Sequence, residues 1–199
     1  MRRLLVYVHG KGGRAEEATH YRSLFPRADV VGLDYEGKTP WDTAEELRNA
    51  IAGYANEYER IDLIANSIGA YYSMNAGLNE YISKAFFISP IVDMERLILD
   101  MLTWANEMEL CLQKQKTIHT AFGEDLSWEY LCYVREHPIR WHAPTEILYG
   151  ECDKLTSYET ISAFAMAHHA RLTVMPNGEH WFHTEEQMAF LDRWIMESR

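Results

Sequence analysis

Cysteine is scarce in this 199-residue chain: Cys111, Cys132 and Cys152 are the whole set. An odd number, without metal-ligand or redox spacing, argues against a disulfide framework and points to reduced thiols in an intracellular protein. Long apolar runs are also missing. The amino-terminal run Leu4-Leu5-Val6-Tyr7-Val8 stops at His9-Gly10, too soon for a signal peptide or a membrane span, so a cytoplasmic location is expected. Positive charge is in deficit, with 19 Lys and Arg against 30 Asp and Glu and a formal net charge of -11. Such a surface repels phosphate backbones and anionic head groups, which makes nucleic acid and membrane surfaces poor candidate partners and does not exclude small neutral or cationic substrates. The acidic pairs Glu16-Glu17, Glu45-Glu46 and Glu185-Glu186 fall on stretches that read as helical, solvated faces. There is no internal repeat, low-complexity tract or Gly/Ser linker.

What remains is ordinary globular composition, 47% hydrophobic and 25% charged, in a length that suits one domain. Short runs rich in Val, Ile, Phe and Tyr alternate with longer amphipathic stretches. Strands are expected at Leu4 to His9, Ala28 to Leu33, Ile61 to Ala65, Ala85 to Ser89, Thr145 to Tyr149 and Leu172 to Met175. They lack clean polar alternation, as strands covered on both faces do. Helices are expected over Trp41 to Tyr58, Ser67 to Ala76, Ser157 to His168 and Glu185 to Glu197, the first capped by Asp42 or Thr43 with Thr43 and Glu46 as a capping box. Right-handed crossovers then give an α/β/α sandwich around a mostly or wholly parallel sheet.

The interval from Ile91 to Ala143 breaks this rhythm, holds no convincing strand and reads as a helical insertion. Leu97, Met101, Leu102, Ala105 and Met108 recur at helical spacing, and Leu126 to Arg135 reads as a second helix that Pro138 ends. Following a mid-sheet strand, it is expected to act as a cap over the carboxyl edge, where open α/β sheets bind ligands. Its aromatic and Met side chains read as helix packing before pocket lining.

Ala65-Asn66-Ser67-Ile68-Gly69 follows a strand and opens a helix, the context of a G-x-S-x-G nucleophile elbow with Ala in place of the first Gly. The strand and helix approach closely at such a turn, so small residues are needed two positions either side of the serine. The plainer alternative is that Ser67 only caps the helix. His9-Gly10-Lys11-Gly12-Gly13 ends the first strand. It is no P-loop, since Gly12 stands where the hydroxyl residue would be. Leu148-Tyr149-Gly150-Glu151-Cys152-Asp153 and Met175-Pro176-Asn177-Gly178-Glu179-His180 place an acid and a histidine just past the next two strands. Asp93 rivals Asp153 as the acid but reads equally well as a helix N-cap. His183 rivals His180 as the base but lies further from its strand. His168-His169 and the pair His137 and His142 match no metal-ligand pattern, and no metal or cofactor is expected.

The His-Gly loop, the elbow, Gly-x-x-Asp and Gly-x-His, in the order Ser, Asp, His, resemble a compact bacterial-type member of the α/β-hydrolase superfamily. The resemblance implies a reduced, six-stranded α/β-hydrolase fold with Ser67 as nucleophile, His180 as general base and Asp153 as its orienting acid. The backbone amides of Lys11 and Ile68 would form the oxyanion hole. The implied activity is carboxylesterase-like cleavage of a small ester. Thioesterase, lipase-like or amidase chemistry would use the same residues, and a ligand receptor that keeps the fold without turnover is the alternative from another class.

Overall fold

The computed structural model describes residues 2–199. Six strands pair in parallel: β1 (Arg3–Val8), β2 (Asp29–Leu33), β3 (Arg60–Asn66), β4 (Ile82–Ile88), and, after a long interval, two strands at Thr145–Gly150 and Arg171–Met175. Their order is β2, β1, β3, β4, then those two, so the expected parallel sheet forms with each expected strand in it. Each central strand buries both of its faces. Leu5, Tyr7, Ile64, Phe86, Ile88 and Leu148 join a cluster that includes Leu191, Trp194 and Ile195 near the carboxyl terminus. The alternate positions Leu4, Val6, Leu63, Phe87 and Ile147 are equally buried, as the two-residue period of a strand requires for a sheet covered on both sides.

Register places the strand ends together. Val8 lies opposite Ala65, Ala65 opposite Phe87, Ile88 opposite Leu148, and Gly150 opposite Met175. Every loop that leaves a carboxyl end therefore emerges along one rim.

Helix α1 (Pro40–Ala55) begins earlier than expected, because Thr39 accepts from the Asp42 amide and Pro40 opens the first turn. Proline suits that position, where its missing N–H has no helical partner. Thr43 lies inside the helix, buried, and the expected capping box does not form. Glu46 instead accepts from the amides of Glu36 and Gly37, both at 2.9 Å, and clamps the preceding loop to α1. Helix α2 (Ile68–Asn75) follows β3 directly. Glu17, read as part of a solvated helical face, sits in a 3-10 segment, Ala15–Arg22, where its carboxylate accepts from the Tyr7 hydroxyl at 2.5 Å.

The chain divides into two compact units, one formed by the residues up to Val92 with Arg140–Arg199, the other by Asp93–Ile139. In the second, α3 (Met94–Trp104) and α4 (Glu109–Gln115) replace the single apolar run. Asn106, in the left-handed region at φ 57°, separates them, Ala105 closes α3, and Met108 is exposed. A hairpin that sequence periodicity did not indicate follows: β5 (Thr117–His119) pairs antiparallel with β6 (Asp125–Ser127) across a turn holding Gly123 at φ 86°. Three-residue strands are too short to show a period. Helix α5 (Trp128–Glu136) completes the unit, and Arg135 ties it together through Glu95 at 2.6 Å and Glu109 at 2.6 and 3.0 Å.

Back in the first unit, the two later strands are β7 (Thr145–Gly150) and β8 (Arg171–Met175), followed by α6 (Tyr158–Ala167) between them and α7 (Glu185–Ser198) at the end. Trp141 is fully buried and donates to the Thr145 hydroxyl at 2.7 Å. Among the described residues no helix is long and apolar enough to cross a membrane.

Candidate active site

Ser67 stands between β3 and α2 at φ 52° and ψ -121°, a conformation costing a residue with a side chain about 1–3 kcal/mol. Surrounding bonds hold it there. Its N–H donates to the Ile88 carbonyl at 3.0 Å, and its own carbonyl accepts from Ala70 at 3.2 Å and Ile91 at 3.1 Å. Gly69 is obligatory in this turn, since a Cβ there would lie 2.3 Å from the His9 carbonyl oxygen. Ala65 is fully buried, so its small side chain fits where the elbow pattern has glycine. Although Ser67 occupies the N-cap position, its side chain makes no capping bond. The hydroxyl oxygen instead lies 2.8 Å from Nε2 of His180.

The loops after β7 and β8 are pressed together by two glycines. A Cβ on Gly150 would come within 2.4 Å of the Glu179 carbonyl oxygen, and Cys152 N–H donates to Gly178 O at 2.7 Å. This contact brings Asp153 and His180 side by side. Asp153 Oδ2 lies 2.7 Å from His180 Nδ1, while Oδ1 accepts from the amides of Leu155 at 2.8 Å and Thr156 at 3.2 Å. The carboxylate is completely buried and the imidazole largely so. An ionised carboxylate only accepts, so a neutral ring paired with it carries its hydrogen on Nδ1 and offers the Nε2 lone pair towards the Ser67 hydroxyl.

No protein-family model and no curated protein matches this sequence. Solved structures match in three dimensions. Est1E from Butyrivibrio proteoclasticus superposes with a TM-score of 0.77 at 18% identity, over 99% of this chain and 86% of that one. Alpha/beta hydrolase domain-containing protein 10 from mouse gives 0.70 at 13% identity, over 98% and 88%. The esterase domain from a Rhodothermus marinus protein gives 0.67 at 15%, over 99% and 85%. This chain has the α/β-hydrolase fold.

In this α/β-hydrolase fold the loop after β1 closes one side of the site. Gly10 to Gly13 form a turn, with Gly13 N–H donating to Gly10 O at 3.1 Å and Gly12 at φ 74°. A Cβ on Gly10 would lie 3.2 Å from that of Ser67. The His9 ring is buried, stacks on Tyr35 at 4.4 Å and contacts Gly10 O through Nδ1 at 2.8 Å. A cavity of about 400 Å³ opens at this point, lined by Lys11, Glu17, Asn66, Ser67, His180 and Trp181 among others. Burial, reinforced by the neighbouring Tyr21 and Glu17, raises the phenol pKa of Tyr7 beneath it.

The rival residues of the hydrolase fold are engaged elsewhere. Asp93 Oδ1 caps α3 by accepting from Arg96 N–H at 2.9 Å. His183 Nδ1 lies 2.7 Å from the Trp181 carbonyl. His168 contacts the Trp141 carbonyl through Nδ1 at 2.8 Å and packs on Phe164. Sequence reasoning gave Glu17 and Leu155 no part in the site, and allowed Trp181, beside His180, to line it without chemistry. Glu17 and Leu155 carry no local signal, because only the folding of two remote loops brings them to the cavity, whereas Trp181 lines it as its place beside His180 allowed.

Proposed function

We propose that this protein is a serine hydrolase that cleaves a small ester through an acyl-enzyme. The single observation that carries the reading is the unbroken chain of short contacts from Ser67 Oγ through the His180 ring to Asp153, at 2.8 and 2.7 Å. As Ser67 Oγ bonds to the acyl carbon, its proton passes to His180 Nε2. The carbonyl π electrons move onto oxygen. The amides of Ile68 and Lys11 are the proposed donors to that oxyanion. In support, Ile68 opens α2, where an N–H has no helical acceptor, and Lys11 belongs to the turn lying against Ser67. Collapse breaks the bond to the leaving group, an alcohol for an ester, which takes the proton from His180. Water, deprotonated by the same imidazole, then releases the acid and restores Ser67. Asp153 stays ionised and holds the ring in its tautomer. The likeness in fold to esterases supports hydrolase chemistry, and the free thiols Cys111, Cys132 and Cys152 fit a reducing, cytoplasmic compartment.

Fluorophosphonate labelling run beside hydrolysis of nitrophenyl esters of increasing acyl length tests the proposal. Wild type is expected to be labelled at Ser67 and to turn over short to medium chains, with both signals lost in Ser67→Ala. Turnover that survives in Ser67→Ala overturns it.

A further inference from the structure

The Trp181 indole is stacked on one neighbour and is otherwise largely exposed. Its ring stacks on that of His183, with centroids 4.4 Å apart and planes 20° from parallel. His183 is itself held through Nδ1 to the Trp181 carbonyl oxygen. Yet 67% of the Trp181 surface is exposed, so contact with His183 leaves most of the residue open. An isolated exposed tryptophan on a protein surface is unremarkable in itself. This one adjoins His180 in the chain, lines the Ser67 cavity, and shares that lining with a single other large apolar side chain, Leu155. The rest is glycine backbone and polar groups, among them Glu17 and Asn66.

We propose that Trp181 is a specificity-determining residue that selects esters carrying a planar aromatic ring, which stacks on the exposed indole. The inference rests on the reading of Ser67 as nucleophile. Three features favour an aromatic ring over an aliphatic chain. A single flat face contacts one side of a ligand, so area burial is halved, and offset stacking, available only to another π system, adds what area does not. The indole is already fixed by His183, so little side-chain freedom is lost when a ligand arrives. The cavity, about 400 Å³, lies at the small end of ligand sites and suits one ring on a short linker in place of a long acyl chain.

Methyl 3-phenylpropanoate and methyl 3-cyclohexylpropanoate separate the two forces, because leaving group, linker and ring size are shared. The cyclohexyl ring is the more hydrophobic, so burial alone favours it; stacking favours phenyl. Wild type is expected to show kcat/KM about two- to tenfold higher for the phenyl ester. Trp181→Phe is expected to keep the preference, and Trp181→Leu and Trp181→Gln to lose or invert it, with labelling of Ser67 in each variant reporting an intact site. A wild-type ratio of one or below, or an unchanged ratio in both non-aromatic variants, overturns the inference. Labelling of Ser67 with neither ester cleaved also overturns it and leaves the nucleophile standing, whereas a wild-type protein that takes no label removes both readings together.

Discussion

Gly69 and His9 meet across the junction of two strand ends, so closely that a Cβ on the glycine would lie 2.3 Å from the His9 carbonyl oxygen and 2.8 Å from that of Val8. Both obstacles are backbone, which cannot rotate aside. Gly69→Ala is therefore expected to push α2 away from β1, to destabilise the fold by roughly 1–3 kcal/mol in urea denaturation, and to weaken fluorophosphonate labelling at Ser67. Labelling and stability both at wild-type level would show that the two segments separate without cost.

Asp153 and Asp93 make a controlled pair. Asparagine at 153 keeps the side-chain shape but offers an N–H donor to Nδ1, which favours the wrong imidazole tautomer. The expected loss in kcat for Asp153→Asn is on the order of 10³- to 10⁴-fold, by analogy with the same change in a serine protease. Asp93→Asn keeps an oxygen to cap α3 at the Arg96 amide, and asparagine caps as well as aspartate, so its activity and stability are expected to stay close to wild type. Steady-state kinetics on one ester decide between them, and the reverse ranking would move the acid to Asp93.

Asp62 predicts an asymmetry in stability. Its carboxylate is fully buried on β3 and is clasped by Arg3 at 2.5 Å and Arg60 at 3.0 Å, whose side chains are partly open to solvent. Removing both arginines leaves a buried charge alone and is expected to cost about 3–5 kcal/mol. Asp62→Ala leaves two guanidinium groups that water reaches, and about 1–3 kcal/mol is expected. Equal losses in chemical denaturation would contradict this account.

The second unit carries a pH dependence of known sign. Hydrogen bonds from Arg135 lower the Glu109 carboxyl pKa below its ordinary value. A carboxylate depressed in the folded state contributes stability above its unfolded pKa and loses it as the pH falls through the folded one. Both side chains are substantially exposed, so screening keeps the contribution under about 1 kcal/mol. Glu109→Gln should accordingly lower Tm slightly at pH 7, by an amount that shrinks as the pH falls through the folded-state pKa. A Tm difference that grows on acidification would reverse the assigned sign.

Much of the scaffold was readable locally. Unbroken apolar runs such as Leu4 to Val8 and Ala85 to Ile88 can be satisfied only by burial on both faces, and the small residues around Ser67 marked a sharp strand-to-helix turn. Asp62, in contrast, stands inside an otherwise apolar strand, and its burial makes sense only once Arg3 and Arg60 arrive beside it. The β5 and β6 hairpin was hidden because a three-residue strand has no period, whereas the early start of α1 carried a signal that went unread: Thr39 stands three residues before Asp42, with Pro40 at the first helical position.

What the amino-acid order determined by itself was the kind of each main element and the chain sequence of serine, acid and histidine past their strands, because backbone sterics and apolar periodicity act over a few residues. Tertiary structure alone decided that β1 lies between β2 and β3, that β7 pairs with β4 across the long interval, and that Ser67 and His180 stand 2.8 Å apart. Those facts depend on strand pairing and register between distant segments, where close approaches such as that of Gly150 to Glu179 set positions that no single segment encodes.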